Sequence, residues 1–269
     1  MALTKAMECR SIVEVLGTVA FINDHMTEYS TDSPYGFHDP NTIYVSNGDV
    51  GTITSTGTLW SSIPDTYSSD SYPYVIARLK SPVGLANFGV KTTSGSIFLH
   101  GSTQPSSFVT AYFTVPAGYN YSSLCIIGNN SEFDYVAIGS VPPVTLTPHK
   151  ITVNRGLSDE ESTAELVTST MDVGDIDLKC SHIKIWLSKD TVTAFNKVFT
   201  GRIYRVKKPM VRQEPRDVII EAIGYVKYLS QRVVRHGQYY EGLTHSVVKE
   251  ILSTLRDEGL ITTLSLIHI

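Results

Sequence analysis

Long apolar runs are missing from this chain. No stretch of about 18 apolar residues, the length needed to cross a bilayer as a helix, occurs in the sequence. The opening segment, Met1 to Gly17, has its apolar stretch broken by Glu14 and carries no small-residue cleavage pattern, so neither a membrane span nor a signal peptide is expected. Cysteine is scarce. Cys9, Cys125 and Cys180 are odd in number, far apart and without CxxC or Cys/His spacing, which argues against a disulfide framework and a zinc site. Excess positive charge is absent too: the formal net charge is −4, and nothing predicts a nucleic-acid surface. No GxSxG elbow, HExxH, P-loop or Rossmann glycine pattern occurs, so no catalytic residue, metal or cofactor is expected. The acidic run Asp159-Glu160-Glu161 reads as a solvated charge cluster rather than a catalytic carboxylate pair.

What is present divides into two halves. Residues 1–148 hold 5 Lys/Arg against 11 Asp/Glu, whereas 149–269 hold 17 against 15. From about Val13 to Val141 short alternating apolar runs are separated by Ser, Thr, Gly, Asn and Tyr. Tyr74 to Lys80, Gly95 to His100, Phe108 to Val115, Ser123 to Ile127 and Phe133 to Ile138 are of this kind, and they predict two packed antiparallel sheets over residues 1–142. Tyr35, Trp60, Tyr67 and Tyr72 lie in Ser/Asp/Pro-rich segments. An exposed aromatic face with hydroxyl-binding neighbours can stack a sugar, so these four are the candidate ligand-binding residues, for a glycan or for a protein contact. The stretch Asp32 to Asn41 has oxygen donors for a hard cation but no EF-hand spacing, and is read as turn chemistry.

Three prolines within Val141 to Pro148 predict a stiff connector, with the domain boundary near Pro143. Beyond it, Lys150 to Thr168 reads as two strands around a charged loop. His182 to Leu187, Val198 to Val206 and Asp217 to Gly224 alternate again, and four or five such strands would close a small barrel over residues 144–230. From Thr244, a good N-cap, Val247, Val248, Ile251, Leu252 and Leu255 recur at helical spacing.

Two family resemblances follow from these residues. Tyr74 to Lys80, the turn Thr114 to Gly118 and the closing strand Phe133 to Val141 are similar to galactose-binding-like jelly rolls, the fold of many carbohydrate-binding modules. Arg155-Gly156-Leu157-Ser158-Asp159-Glu160, Val198-Phe199-Thr200-Gly201-Arg202-Ile203, Glu221 to Leu229 and Gly242 to Leu255 fall in the order found in tail hub (baseplate hub) proteins of long-tailed phages and related contractile injection systems. Gly224 departs from that pattern, which often has Asp there.

The resemblances imply a mainly β chain: a jelly-roll sandwich over 1–142, a hub-type barrel over 144–230 and the first helix of a further domain over 231–263. The last six residues, 264–269, resemble a translated sequencing adaptor, so the expected native chain continues past Thr263. The implied role is structural, at a virus tail tip in the virion, assembled in the host cytoplasm. Its partners would be a homotrimer, the tail tube and spike proteins, and a host surface glycan. The alternative is an extracellular carbohydrate-binding or adhesion protein.

Overall fold

The computed structural model describes residues 9–24, 26, 36–38, 44–47, 50–54, 57–63, 65–101, 103–154, 162–173, 178–189, 195–208 and 217–224. Its regular structure is almost entirely β. The chain forms two units. One contains the strands before Thr18 and after Pro143, and the other those between Val19 and Pro142.

The second unit is the expected sandwich. Its strands are β2 (Val19–Asn23), β3 (Tyr44–Asn47), β4 (Val50–Ile53), β5 (Gly57–Ser62), β6 (Tyr74–Lys80), β7 (Asn87–Thr92), β8 (Ile97–Leu99), β9 (Val109–Thr114), β10 (Tyr121–Gly128) and β11 (Ser131–Gly139), where β1 belongs to the other unit as Cys9–Gly17. One sheet runs β5-β10-β7-β8 and the other β3-β4-β11-β6-β9, with β2 also on β11. Alternation decides which side chains meet between them. Leu59, Phe88, Val90, Leu124 and Ile126 from the first sheet pack on Val75, Ala77, Leu79, Phe133 and Val136 from the second. Each such large apolar side chain stabilises the fold by about 1.5–3 kcal/mol.

The other unit is one antiparallel sheet in the order β12-β1-β15-β16-β17-β14-β13. Here β12 is Val144–Leu146, β13 Lys150–Asn154, β14 Thr163–Ser169, β15 His182–Lys189, β16 Asn196–Lys207 and β17 Asp217–Gly224. A short helix α1 (Thr170–Val173) follows β14. The expected small closed barrel is corrected to an open seven-strand path, because no pairing joins β12 to β13 among the described residues. The path is nonetheless rolled. A flat seven-strand sheet would put its edges about 29 Å apart, yet Leu146 and Lys150, on opposite edges, are separated by a tether reaching at most about 14 Å. The His149 N–H donates to the Val167 carbonyl at 3.0 Å, so the β13–β14 pairing extends back to the turn that follows β12.

The strand from His182 to Leu187 lies between β1 and β16 and is buried on both faces, with Ile183 and Ile185 in the core and His182, Lys184 and Trp186 buried on the reverse. Lys184 stands in register with the buried Glu14. The first strand, assigned above to residues 1–142, belongs to the rolled sheet. It pairs with β12 at Val13–Leu146 and Val15–Val144 and with β15 from Cys9 to Gly17. Gly17, with φ of +69°, follows a register shift and turns the chain out of the sheet. The sandwich is therefore an insertion between two neighbouring strands. Its own first and last strands also pair, with Val19 opposite Gly139. Residues 225–269, including the expected helix and the adaptor-like end, lie outside the described residues, as does the Asp159-Glu160-Glu161 run.

Candidate functional site: the outer face of the four-stranded sheet

Antiparallel partners share a face, so the register of β5, β10, β7 and β8 assigns the side chains turned away from the core. Trp60 stands opposite Cys125, Cys125 opposite Gly89, and Gly89 opposite Leu99. On the far side of Trp60 the chain at His38 forms a bridge, with backbone bonds of 3.0 and 3.3 Å. The buried Phe37 next to it turns inward, which leaves the exposed His38 on the Trp60 face. One transverse row thus reads His38, Trp60, Cys125, Gly89, Leu99.

A second row reads Ser62, Ser123, Lys91 and Ile97, and a third Thr58, Ile127 and Asn87. Lys91 reaches back across β10 until its Nζ lies 5.8 Å from the Trp60 ring centroid, at the loose limit of a cation–π contact. The Trp60 ring is half-buried. The middle of the row is low: Cys125 is small and fully buried, and Gly89 has no room for a side chain, since a Cβ there would come within 2.7 Å of Leu99 Cδ2. Burial pushes the Cys125 thiol up to about 12, so it is a neutral packing group and not a nucleophile. No carboxylate occupies any of these strand positions.

The structure divides the four aromatic residues singled out above. Trp60 is on the sheet face. Tyr67 and Tyr72 meet edge to face, 5.9 Å between centroids, and pack against the sandwich core. The Tyr72 carbonyl accepts a 2.8 Å bond from the Tyr121 hydroxyl. Burial, and then the nearby Asp70, push the Tyr121 phenol well above its ordinary range. Asp70 in turn accepts from the Gly118 N–H at 3.0 Å, so this end of the sandwich is a braced rim. Tyr35 lies outside the described residues, as does all of the Asp32 to Asn41 stretch except 36–38. Among the described residues no group of three His, Cys, Asp or Glu could hold a metal ion.

Lys91, His38, Asn87 and Ser123 were not singled out by sequence. Asn87, Gly89 and Lys91 alternate with the core residues Phe88 and Val90, which reveals their face. Their neighbours are set by register across strands, which one sequence does not contain.

In the rolled sheet, the Val198 to Ile203 motif and the Glu221 to Gly224 part of the Glu221 to Leu229 motif fall on adjacent strands, β16 and β17, with Gly201 opposite Gly224, and residues 225–229 lie outside the described residues. The glycine at 224 has a local cause, because a Cβ there would run into the Ser162 hydroxyl.

No protein-family model matches the chain, and no curated protein matches it. Solved structures do. "BiXyn10A CBM1 APO" is 14% identical over 46% of this chain and 99% of its own, with a TM-score of 0.34. A family 29 carbohydrate-binding module from Piromyces equi is 12% identical over 49% and 92%, TM-score 0.35. A module from Cellvibrio mixtus lichenase 5A, solved with cellotriose, is 13% identical over 46% and 99%, TM-score 0.30.

Proposed function

We propose that this chain is a non-enzymatic structural protein of a virus-type tail tip, in which the rolled sheet is the assembly module and the sandwich an accessory module that contacts glycan through the Trp60 face. The observation that carries this reading is the insertion. A module strung between two paired strands, Val15 opposite Val144 on the sheet and Val19 opposite Gly139 on the sandwich, is a passenger on a scaffold. The hub-like motifs support the scaffold's role, because Val198 to Ile203 and the described part of the Glu221 to Leu229 motif, Glu221 to Gly224, lie on adjacent strands of one sheet. The outer strands β12 and β13 each have one partner among the described residues and would offer edges for subunit contacts in a threefold ring, with tail tube and spike as neighbours. A sugar ring stacks on Trp60 through its positively polarised C–H bonds, while Ser123 and Asn87 meet its hydroxyls.

A second reading, an extracellular carbohydrate-binding or adhesion protein, is favoured by the Trp60 face alone. Light scattering on the full gene product separates the two. A trimer that binds tail tube protein is expected, and a stable monomer at micromolar concentration overturns the hub reading. Glycan-array binding that Trp60→Ala abolishes is expected of the sandwich in either case. An array with no bound sugar overturns the glycan role.

A further inference from the structure

The three basic residues of the sandwich are not used alike. Between residues 19 and 142 the sequence has three Lys/Arg, Arg78, Lys80 and Lys91, against nine Asp/Glu. Arg78 pairs with Asp134 at 3.3 Å, and Lys80 with Glu132 at 2.8 Å, both on the other sheet. Lys91 has no carboxylate partner among the described residues. It is exposed, and its ammonium lies over the Trp60 ring.

We infer that the Trp60 face selects an anionic saccharide, one whose ring stacks on Trp60 while its carboxylate or sulfate pairs with Lys91. The inference rests on the glycan reading and narrows it to a ligand class. The chemistry is one of complementary donors and acceptors. A neutral sugar presents hydroxyl donors, which are best met by carboxylates, and this face has none at its strand positions. Its one full charge is a donor-only ammonium, and the exposed His38 is bridged to Trp60 through the backbone on the other side. An anionic substituent supplies the acceptor that the ammonium lacks, in a charge-assisted bond stronger than a neutral one. Geometry favours the exchange. At 5.8 Å the ammonium is held only loosely by the ring, and the long flexible stem of an exposed lysine lets it swing aside. The acidic remainder of the sandwich repels anions, so the cation on this face also orients their approach.

The test is isothermal titration of the full chain with three probes of equal length: tetragalacturonate, a sulfated galactotetraose and neutral galactotetraose. At least one anionic probe is expected to bind about tenfold more tightly than the neutral one, a difference equivalent to about 1.4 kcal/mol. Lys91→Gln removes that preference, Lys91→Arg retains it, and about 0.5 M salt compresses it. Whichever anionic probe binds identifies carboxylate or sulfate as the group. Lys91 is exposed, so an unchanged melting curve is expected for each variant. Equal binding of all three probes overturns the anionic inference and leaves the glycan reading standing. Failure of every probe and of a wider array to bind overturns both.

Discussion

Gly201 offers a direct test of whether the two units are energetically separate. In β16 it stands opposite Gly224 on one side and Ile183 on the other. A methyl group at this position would run into the Ile223 carbonyl oxygen and approach Phe199 Cζ to 2.7 Å and the Ile223 carbonyl carbon to 2.9 Å. Comfortable carbon contacts begin near 3.5 Å, so β17 must retreat by roughly 1 Å along a stretch where it is hydrogen-bonded on both sides. Phe199 can turn its ring only within a buried core. Overpacking of this kind costs about 1–3 kcal/mol, and backbone atoms as the obstacle put Gly201→Ala near the top of that range. For a unit of about 100 residues, ~3 kcal/mol corresponds to a fall in Tm of roughly 10–20 °C. The chain contains two tryptophans, Trp60 in the sandwich and Trp186 in the rolled sheet. Removing each in turn as Trp→Phe gives a fluorescence reporter for one unit at a time. Gly201→Ala is expected to lower the Trp186 transition by that amount and leave the Trp60 transition in place. A shift below about 2 °C would refute the packing argument. A parallel fall of both transitions would refute the separation.

Three other outcomes follow from the same structure. Limited proteolysis is expected to nick the chain near the exposed Val141, ahead of Pro142 and Pro143, yet the pieces will co-elute until denatured because β1 stays in the rolled sheet; pieces that separate under native conditions would contradict the insertion. Asp134→Ala leaves the Arg78 charge buried and is expected to destabilise the sandwich by about 3–5 kcal/mol, whereas Arg78→Met with Asp134→Leu recovers most of it; urea melts of the single and double variants decide this. The Cys125 thiol, raised from an ordinary 9.0 to about 12, loses its proton in the unfolded chain first, so its contribution is intact below pH 9 and is lost as pH rises toward 12. In a Cys9→Ser background the exposed Cys180 is expected to react with a thiol reagent at pH 8 (roughly one unit below the ordinary thiol value) and Cys125 only after unfolding; early reaction of both would contradict the burial.

Much of the β texture was legible because it is local. Tyr74 to Lys80 is a short apolar run with the bounds of β6, and Val198 to Val206 falls within β16. The prolines after Val141 coincide with the division between units. What escaped the sequence is long-range pairing. Cys9 to Gly17 has the composition of a strand, but nothing in it indicates that its partners are Val144 to Leu146 and His182 to Lys189 rather than the sandwich beside it. The site was half legible for the same reason. Trp60 is visible as a rare aromatic among polar residues, whereas its link to Lys91 depends on two successive registers through β10. Tyr67 and Tyr72 look like Trp60 in sequence, and only the braced rim shows that they pack inward.

The insertion also sets an order of events in time. β1 is the first described strand to be synthesised, and its partner β12 follows more than a hundred residues later. Before the sandwich folds, bringing those two strands together means closing a loop of that length. Once Val19 is zipped to Gly139, the same closure spans only a few residues, and the entropy cost falls by about 3 kcal/mol. A sandwich that folds before the sheet would therefore act as a splint during synthesis, holding β1 and β12 side by side for the rolled sheet.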